Sequence, residues 1–486
     1  MPAGRIARIA SALAVVALLA LPQSPAGADG CIAALTDRCE AWASTYDGPA
    51  GHDDSAEAIA VSPAGDRLFV GGVRTVGTGV PFSGSSDDVD YGVIAYETGT
   101  GRELWAAGYA GPGDPASGSR DDYLLDLEPS ADGSTVFVTG YSRDGRGPVD
   151  YDWATVAIDA ATGKRLWVAR HNAGGGAWDL TWDLAVGTVT APDDTQVEMV
   201  FVAGYASLDG GGQSGSTVAY DAATGAKLWE ATTNPGPALR SVAFTPASEP
   251  GGTPLVHAAG GGVVLTYDAR SGEELWRSGF GVAEDKPAYA WSVVAGGGGL
   301  YVTGWGATVF DLEQGIELDA VTAAYDARSG ERLWQTAYAG PDGTDDFFWD
   351  VALSPGGDRV YATGRSSAMA STAVTAAYDA ATGSQVWAAR YSGLTGANAV
   401  SDAVAVHPGG GEVYVAASSP FTTLAFDAQT GLQRWEARYT PPGATDYAYR
   451  IAPSADGSRL FVAGARHGPG ASGELGLDFL TVAYDV

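Results

Sequence analysis

Tyr220-Asp-Ala-Ala-Thr-Gly-Ala-Lys-Leu-Trp229 is one copy of a motif that recurs along this chain and determines its fold. An apolar segment ends in a tyrosine, phenylalanine or isoleucine, a short acidic-to-glycine turn follows, and the next segment carries a tryptophan. Seven copies end at Trp105, Trp167, Trp229, Trp276, Trp334, Trp387 and Trp435. Apolar segments joined by such turns predict β-hairpins, with the turn glycine in the left-handed conformation.

A second motif precedes each of these hairpins. It consists of an apolar segment, a turn rich in proline, glycine and aspartate, and a strand that ends in small residues. Eight copies end at Gly72, Gly140, Gly204, Gly260, Gly304, Gly364, Ala417 and Gly464. An inner hairpin followed by an outer hairpin makes one four-stranded repeat, so the chain has eight inner hairpins and only seven complete outer ones.

The missing strand is found near the other end of the chain. The last residues, Tyr484 to Val486, stop where the eighth tryptophan strand would begin, while Glu40–Tyr46 is similar to the outer strand that contains Trp105. A ring that takes its last strand from the N-terminal segment leaves no open sheet edge at that seam. The sequence therefore predicts an all-β protein, an eight-bladed β-propeller of residues 40–486 closed by the N-terminal strand.

The segment before the propeller has the features of an export signal. Arg5 and Arg8 precede an apolar run too short to span a bilayer, and small residues follow, so we predict a signal peptide of residues 1–28 with cleavage after Ala28. A lipoprotein anchor at Cys31 is the less favoured alternative, because the residues before it do not form a lipobox. Residues 29–39 contain the only two cysteines, and in an oxidising compartment we expect Cys31 and Cys39 to form a local disulfide.

The charge of the chain limits its partners. There are 58 acidic and 27 basic residues, which gives a formal net charge of −31. Such a field repels nucleic acid and anionic lipid and attracts cations or basic proteins. No segment after residue 28 is apolar enough for a membrane span. We therefore expect a secreted, extracellular monomer whose ligand is a cation, a glycan or a basic protein.

The Asp-Ala-x-Thr-Gly-x-x-Leu-Trp signature resembles the pyrroloquinoline-quinone (PQQ) repeat of the quinoprotein alcohol dehydrogenase-like propeller superfamily, in particular its secreted bacterial repeat proteins. The resemblance implies eight blades and outer-strand tryptophans that dock between neighbouring blades. It also implies either a quinone-dependent dehydrogenase or a non-catalytic scaffold. The dehydrogenases of that superfamily hold the quinone beside a disulfide of adjacent cysteines and a calcium ion. This chain has no adjacent cysteines, and no metal ligands of that family match, so we expect no PQQ.

Candidate binding residues repeat at the start of the innermost strands, on the face of the ring where the longest and most acidic loops lie. An aspartate column stands at the start of five of these strands: Asp54, Asp122, Asp179, Asp346 and Asp446. Three blades have a second carboxylate four residues later: Asp126, Asp183 and Asp350. Aromatic candidates lie beside these carboxylates: Trp182, Trp291, Trp349 and Tyr449. Carboxylates near aromatic rings can hold calcium or bind a sugar. Alternatively, each aspartate ties a loop to the neighbouring blade. We treat calcium as a candidate ligand, with no ligand set assigned.

Three classes of function remain open. A non-catalytic binding or scaffold propeller is the first, a PQQ-dependent dehydrogenase the second, and a carbohydrate-acting hydrolase or lyase the third. The chain has no nucleophile elbow, zinc-protease, phosphate-loop or EF-hand motif, and no catalytic residue is assigned. The five histidines fall at unrelated repeat positions, and we predict each to be an isolated surface residue.

Overall fold

The computed structural model describes residues 40–486 except for 51–52, 77–87, 113–120, 144–150, 173–177, 192–193, 209–211, 234–235, 250, 283–285, 312–314, 342, 368–370, 394–398, 419, 440–445 and 470–474. The predicted signal peptide and the Cys31–Cys39 pair lie outside the described residues. Every described element is a β-strand, and no helix of the described part could cross a bilayer.

Within the described residues, thirty-two strands form eight four-stranded antiparallel sheets. After β1 (Glu40–Tyr46), blade 1 contains β2 (Ser55–Val61), β3 (Arg67–Thr75), β4 (Val89–Glu97) and β5 (Glu103–Tyr109), and blade 2 contains β6 (Asp122–Pro129), β7 (Thr135–Arg143), β8 (Tyr151–Asp159) and β9 (Arg165–His171). Blade 3 contains β10 (Asp179–Thr190), β11 (Gln196–Ser207), β12 (Gln213–Asp221) and β13 (Lys227–Thr233), and blade 4 contains β14 (Ser241–Thr245), β15 (Leu255–Gly260), β16 (Val263–Asp268) and β17 (Glu274–Gly279).

The second half of the ring repeats this order. Blade 5 contains β18 (Ala288–Gly296), β19 (Gly299–Asp311), β20 (Gly315–Asp326) and β21 (Arg332–Tyr338), and blade 6 contains β22 (Asp346–Leu353), β23 (Arg359–Ser367), β24 (Ser371–Asp379) and β25 (Gln385–Tyr391). Blade 7 contains β26 (Val400–Val406), β27 (Glu412–Ser418), β28 (Thr422–Asp427) and β29 (Gln433–Arg438). Blade 8 contains β30 (Tyr447–Pro453), β31 (Arg459–Pro469), β32 (Leu475–Asp485) and, as its outer strand, β1.

The closure predicted from the sequence is confirmed. β1 pairs antiparallel with β32, from Glu40 opposite Tyr484 to Tyr46 opposite Phe479. The first strand of each blade contacts the first strand of the next blade, and contact between β30 and β2 completes the circle. The eight blades therefore form a closed ring.

The outer-strand tryptophans hold neighbouring blades together. Each turn glycine of the motif has a φ near +70°, as predicted. A side chain at that glycine would also collide with the tryptophan of the preceding blade, as at Gly163, where a Cβ atom would lie 2.8 Å from the ring of Trp105. The indole nitrogen of Trp105 donates a hydrogen bond to the carbonyl oxygen of Ala160 in the same turn, at 3.1 Å. The core lies between the sheets, where Trp42, for example, packs with Tyr96 of blade 1 and Phe461 of blade 8.

Candidate functional site

A cavity of about 490 Å³ lies on the axis of the ring. Each of the eight blades contributes to its lining, and the charged and aromatic residues among the lining side chains are Glu57, Asp126, Trp182, Asp183, Arg240, Trp291, Trp349, Asp350, Arg365, Asp402 and Arg450. Most of them come from the innermost strands. The axial cavity is therefore built by the part of each blade that is nearest to the ring axis.

A β-bulge turns side chains into this cavity. The pairing between the first and second strands shifts by one residue in seven blades, and the bulged residues are Glu57, Leu125, Trp182, Trp291, Trp349, Asp402 and Tyr449. All of these except Tyr449 line the axial cavity. In blade 4 the equivalent position is Arg240, directly before β14. A bulge removes one residue from the hydrogen-bonded ladder, which lets its side chain point towards a site.

The residue after the bulge links one blade to the next. Asp126 accepts a hydrogen bond from the backbone nitrogen of Leu184 in blade 3 (2.9 Å), and Asp183 accepts one from that of Val242 in blade 4 (2.8 Å). Equivalent hydrogen bonds continue as far as blade 7. Ser241 donates to Asp183, Val293 donates to Ser241, and both Ser292 and Val404 donate to Asp350. We call this chain of bonds across blades 2–7 the inter-blade girdle.

Asp126 and Asp183 are also hydrogen-bonded to each other. Burial raises the pKa of both carboxyls, and the neighbouring charge of Asp183 raises the pKa of Asp126 further. Two buried carboxylates in contact are unfavourable, so one proton is retained between them. Asp183 also accepts hydrogen bonds from the Ser241 hydroxyl and the Val242 backbone nitrogen.

Arg240 is enclosed by two indole rings on one wall of the cavity. Its guanidinium carbon lies 4.1 Å from the ring centre of Trp182 and 3.4 Å from that of Trp291. Burial lowers the pKa of Arg240 to about 10, which still leaves the side chain charged at neutral pH. Within the described part of the chain, no carboxylate oxygen lies within 4.0 Å of the Arg240 guanidinium. This wall is therefore cationic and aromatic, without a direct counter-ion.

The opposite wall is acidic. Glu57 and Asp402 are the bulged residues of blades 1 and 7, on either side of Arg450 in blade 8. Burial raises the pKa of Glu57, and it raises that of Asp402 to about 6, although a hydrogen bond from Ser418 (2.9 Å) opposes the second shift. The charge of Arg450 lowers both values, and its Nη1 donates to the carbonyl oxygen of Tyr449 at 3.0 Å.

A second cavity of about 370 Å³ adjoins the axial cavity and shares Glu57 and Leu125 with it. Its other lining residues come from blades 1, 2 and 8 and are Asp53, Asp54, Ser55, Val73, Val89, Tyr123, Tyr141, Tyr449 and Leu477. The two cavities therefore border each other at Glu57 and Leu125, and the second lies towards the seam between blades 8 and 1.

The aspartates of the column are buried, and most of them accept hydrogen bonds from backbone nitrogens. Asp54, Asp122, Asp179, Asp346 and Asp446 are each at most 2% exposed. Backbone nitrogens donate to four of them, for example Thr75 to Asp54 at 2.7 Å and His467 to Asp446 at 3.1 Å. Gly111 and Gly340, which follow the outer strands of blades 1 and 5, donate to Asp122 and Asp346 at 2.5 Å. None of the five lines the axial cavity, and this geometry favours the loop-tying alternative.

The other sequence-predicted candidates converge on the axis. Asp126, Asp183 and Asp350 line the axial cavity together with Trp182, Trp291 and Trp349. Tyr449 lies in the adjoining cavity, where its ring stacks on that of Tyr447 with 6.0 Å between ring centres. The structure thus brings the aromatic candidates and the second set of carboxylates together.

Sequence reasoning missed the charged residues that define the two walls. Glu57, Asp402 and Arg240 occupy the alignment column of Trp182, and Arg450 occupies that of Asp183. Comparison of that column across all eight repeats would have found them. Arg365 lies on the second strand of blade 6, opposite Phe347, and has no such signal.

The prediction that all five histidines are surface residues is wrong for two of them. His257 is fully buried, and its ring nitrogens contact the hydroxyls of Thr266 (2.6 Å) and Thr245 (3.0 Å). Burial lowers the pKa of His257 to about 3, so it is neutral at physiological pH. His171 is buried against Trp153. The threonine partners make burial tolerable, since each polar ring atom of His257 is satisfied.

Comparison with known proteins gives one family match. A family profile described as outer membrane protein assembly factor BamB matches residues 28–278 and 318–477. No curated protein sequence shows a significant match.

Similar folds occur among solved structures. The quinohemoprotein alcohol dehydrogenase of Comamonas testosteroni is 14% identical with a TM-score of 0.54, over 92% of this chain and 77% of that one. Chaetomium thermophilum Sqt1, solved with the N-terminus of ribosomal protein L10, is 13% identical with a TM-score of 0.57, over 91% of this chain and 98% of that one. The alcohol dehydrogenase ADHIIG of Pseudomonas putida HK5 is 13% identical with a TM-score of 0.53, over 93% and 76%. At these identities the likeness concerns the fold.

Proposed function

Because this chain belongs to the PQQ-repeat propeller family described as outer membrane protein assembly factor BamB, we propose that it is a secreted, non-catalytic propeller that binds an acidic glycan in its axial cavity. The family description names an assembly factor, which agrees with a binding role. Sqt1, whose fold is similar, was solved bound to the N-terminus of ribosomal protein L10. The chemistry of the cavity supports the choice of ligand.

The enclosure of Arg240 between Trp182 and Trp291 carries the proposal. A guanidinium that has lost water without gaining a carboxylate has donors available for an anion. The two indoles hold the guanidinium plane by cation–π contact, which reduces the entropy lost when a ligand binds. A carboxylate of the ligand would provide the counter-ion that the described protein groups do not.

The rest of the cavity suits a sugar ring. Indole and phenol faces stack against the apolar faces of pyranose rings, and Trp349 and Tyr449 offer such surfaces beside the two cavities. The carboxylates of Glu57 and Asp402 can accept hydrogen bonds from sugar hydroxyls. The shared border of the two cavities supports an oligosaccharide over a single sugar.

A quinone of the kind implied by the dehydrogenase neighbours fits these residues poorly. Such a ring system needs an open aromatic face, but Arg240 covers a face of Trp182 and of Trp291. No part of the proposed function therefore involves quinone chemistry.

Calorimetric titration tests the glycan proposal. We expect heat on addition of a galacturonate trisaccharide and at least about tenfold weaker binding of neutral galactotriose, since a charge-assisted contact contributes about 1.5–3 kcal/mol. Arg240→Gln should remove this preference. Arg277→Gln is the matched control, because Arg277 lies exposed on the outer strand of the same blade and pairs with Glu274. Equal binding of the two trisaccharides, or binding of neither, would contradict the proposal.

The non-catalytic part of the proposal has its own test. Incubation of the trisaccharide with the protein should leave its chromatographic profile unchanged. New reducing ends would support a hydrolase instead, and an unsaturated product would support a lyase.

Export is proposed from the N-terminal sequence pattern. The mass of the protein recovered outside the producing cells should correspond to a chain that begins at Asp29. Recovery of the uncleaved chain inside the cells would overturn export without affecting the glycan result.

A further inference from the structure

Three carboxylates meet at the seam where the ring closes. Asp47 follows the closing strand β1, Asp54 precedes β2 of blade 1, and Asp478 belongs to β32 of blade 8. One oxygen from each of the three lies within 4.8 Å of the others. Two oxygens that contact the same calcium ion at about 2.4 Å are at most about 4.8 Å apart. The spacing therefore suits a shared cation.

One of these carboxylates has an oxygen without a partner. Asp478 is only 9% exposed, and its Oδ1 atom is buried without a hydrogen-bond partner in the described structure. Asp54 is 1% exposed. A buried acceptor without a donor costs about 1–3 kcal/mol, and more when it is charged, so this oxygen requires a proton or a cation.

The nearest basic groups do not satisfy the cluster. Arg466 lies opposite Asp478 in the strand ladder and lowers its pKa, yet no Lys, Arg or His nitrogen of the described chain is within 4.0 Å of any of the three carboxylates. Burial raises the pKa of Asp54 to about 7 and that of Asp478 to about 6, with the charge of Asp47 contributing to both.

The third carboxylate distinguishes this seam from the interfaces between blades 1 and 2 and between blades 5 and 6. Gly48, Gly111 and Gly340 each donate to an aspartate of the column, and the residue before the glycine is Asp47 at the seam but Ala110 and Ala339 at the other two. At the interface between blades 5 and 6, Asp319 and Asp346 otherwise match Asp478 and Asp54. The seam therefore has one exposed acidic residue, Asp47, where the other two interfaces have alanine.

We propose that Asp47, Asp54 and Asp478 form a calcium site that joins the closing strand to blades 1 and 8. Hard carboxylate oxygens are the ligands that calcium prefers, and water completes its coordination. Because the three ligands come from three segments that meet only in the closed ring, calcium binds the closed ring more tightly than an open one. None of the three ligands lines the axial cavity, but Asp54 also lines the adjoining cavity; Asp47 lines neither, so a change at Asp47 tests the calcium site apart from the glycan site.

Calorimetry with calcium on chelator-treated protein tests the site. We expect one ion per chain and a higher melting temperature with calcium than in chelator. Asp47→Asn should abolish the heat signal while leaving the melting temperature in chelator unchanged, because Asp47 is exposed. Asp319→Asn is the matched control and should bind calcium as the unmodified protein does.

Ala339→Asp supplies the opposite change. It places the missing carboxylate beside Asp346 and Asp319, so we expect a second calcium ion per chain. No heat and no shift in melting with the unmodified protein would overturn the proposal. Binding that survives Asp47→Asn, or is lost in Asp319→Asn, would overturn its location at the seam.

Discussion

The indole nitrogen of Trp42 donates a hydrogen bond to the carbonyl oxygen of Thr98 at 2.9 Å, across the interface between blade 8 and blade 1. The same bond, from an outer-strand tryptophan to the turn of the next blade, is made by Trp105, Trp167, Trp229, Trp276, Trp334 and Trp387. The strand supplied by the N-terminal segment therefore makes the contact that internal outer strands make.

Replacement of Trp42 measures what this closure contributes. We expect Trp42→Ala to lower the free energy of unfolding by about 3–5 kcal/mol, because it leaves a large cavity between two blades. Trp105→Ala should have a similar effect, and Thr45→Ala, at an exposed position of the same strand, should have little. Urea unfolding followed by tryptophan fluorescence gives all three values. A neutral Trp42→Ala beside a costly Trp105→Ala would mean that closure adds no stability.

The inter-blade girdle is predicted to stabilise the ring. Asp183→Ala removes the acceptor of the Val242 nitrogen and the Ser241 hydroxyl, so we expect a loss of about 1–3 kcal/mol in the free energy of unfolding. Chemical denaturation at neutral pH measures the loss. Glu273→Ala, at an exposed turn position of blade 4, is the control. If both variants unfold at the same denaturant concentration, the girdle bonds are energetically neutral.

Stability should fall between acidic and neutral pH because buried carboxyls keep their protons in the folded state. Burial raises the pKa of Glu128 from 4.5 to about 7 although it accepts a hydrogen bond from Val186 at 2.8 Å. Between these two pKa values the folded chain binds more protons than the unfolded chain. The contribution of Glu128 to the free energy of unfolding is therefore fully present below pH 4.5, declines as the pH rises and is lost above pH 7.

Glu128→Gln isolates that contribution. A glutamine stays neutral and still accepts from Val186, so the difference in unfolding free energy between pH 5 and pH 8 should shrink by up to about 3 kcal/mol. Urea unfolding at both pH values provides the measurement, with exposed Glu103→Gln as the control. An unchanged pH dependence in Glu128→Gln would show that this carboxyl titrates normally.

Quinone-dependent turnover is not expected. The faces of Trp182 and Trp291 are occupied by Arg240, and the only two cysteines precede the repeats. Purified protein mixed with PQQ and calcium should not reduce a dye with primary alcohols or aldoses above a protein-free blank. Clear turnover would instead favour the dehydrogenase alternative.

The blade count and the closure could be predicted because they depend on local chemistry that repeats. The turn glycines and the tryptophans recur in sequence, and a missing copy at one end matched an extra copy at the other. The two roles of the aspartates could not be separated in this way. Asp122 and Asp126 are both carboxylates near the start of one strand, but only Asp126 lines the cavity, and this depends on the bulge at Leu125.

The charged walls escaped prediction for a related reason. Arg240 and Arg450 stand where other blades have tryptophan or aspartate, so they do not belong to any repeated pattern. Their environment arises only when eight different strands meet at one axis. A repeat defines the frame, whereas the chemistry at the axis depends on positions at which the repeats differ.

The bulge shared by seven innermost strands also affects how this site can change during evolution. A bulged residue makes few demands on the strand ladder, so a substitution there alters the lining of the cavity while the backbone pairing remains. Six of the seven bulged residues, and Arg240 at the equivalent position of blade 4, line the axial cavity. Ligand preference can therefore shift one side chain at a time, from tryptophan to arginine or glutamate, without a new fold or a redesigned loop.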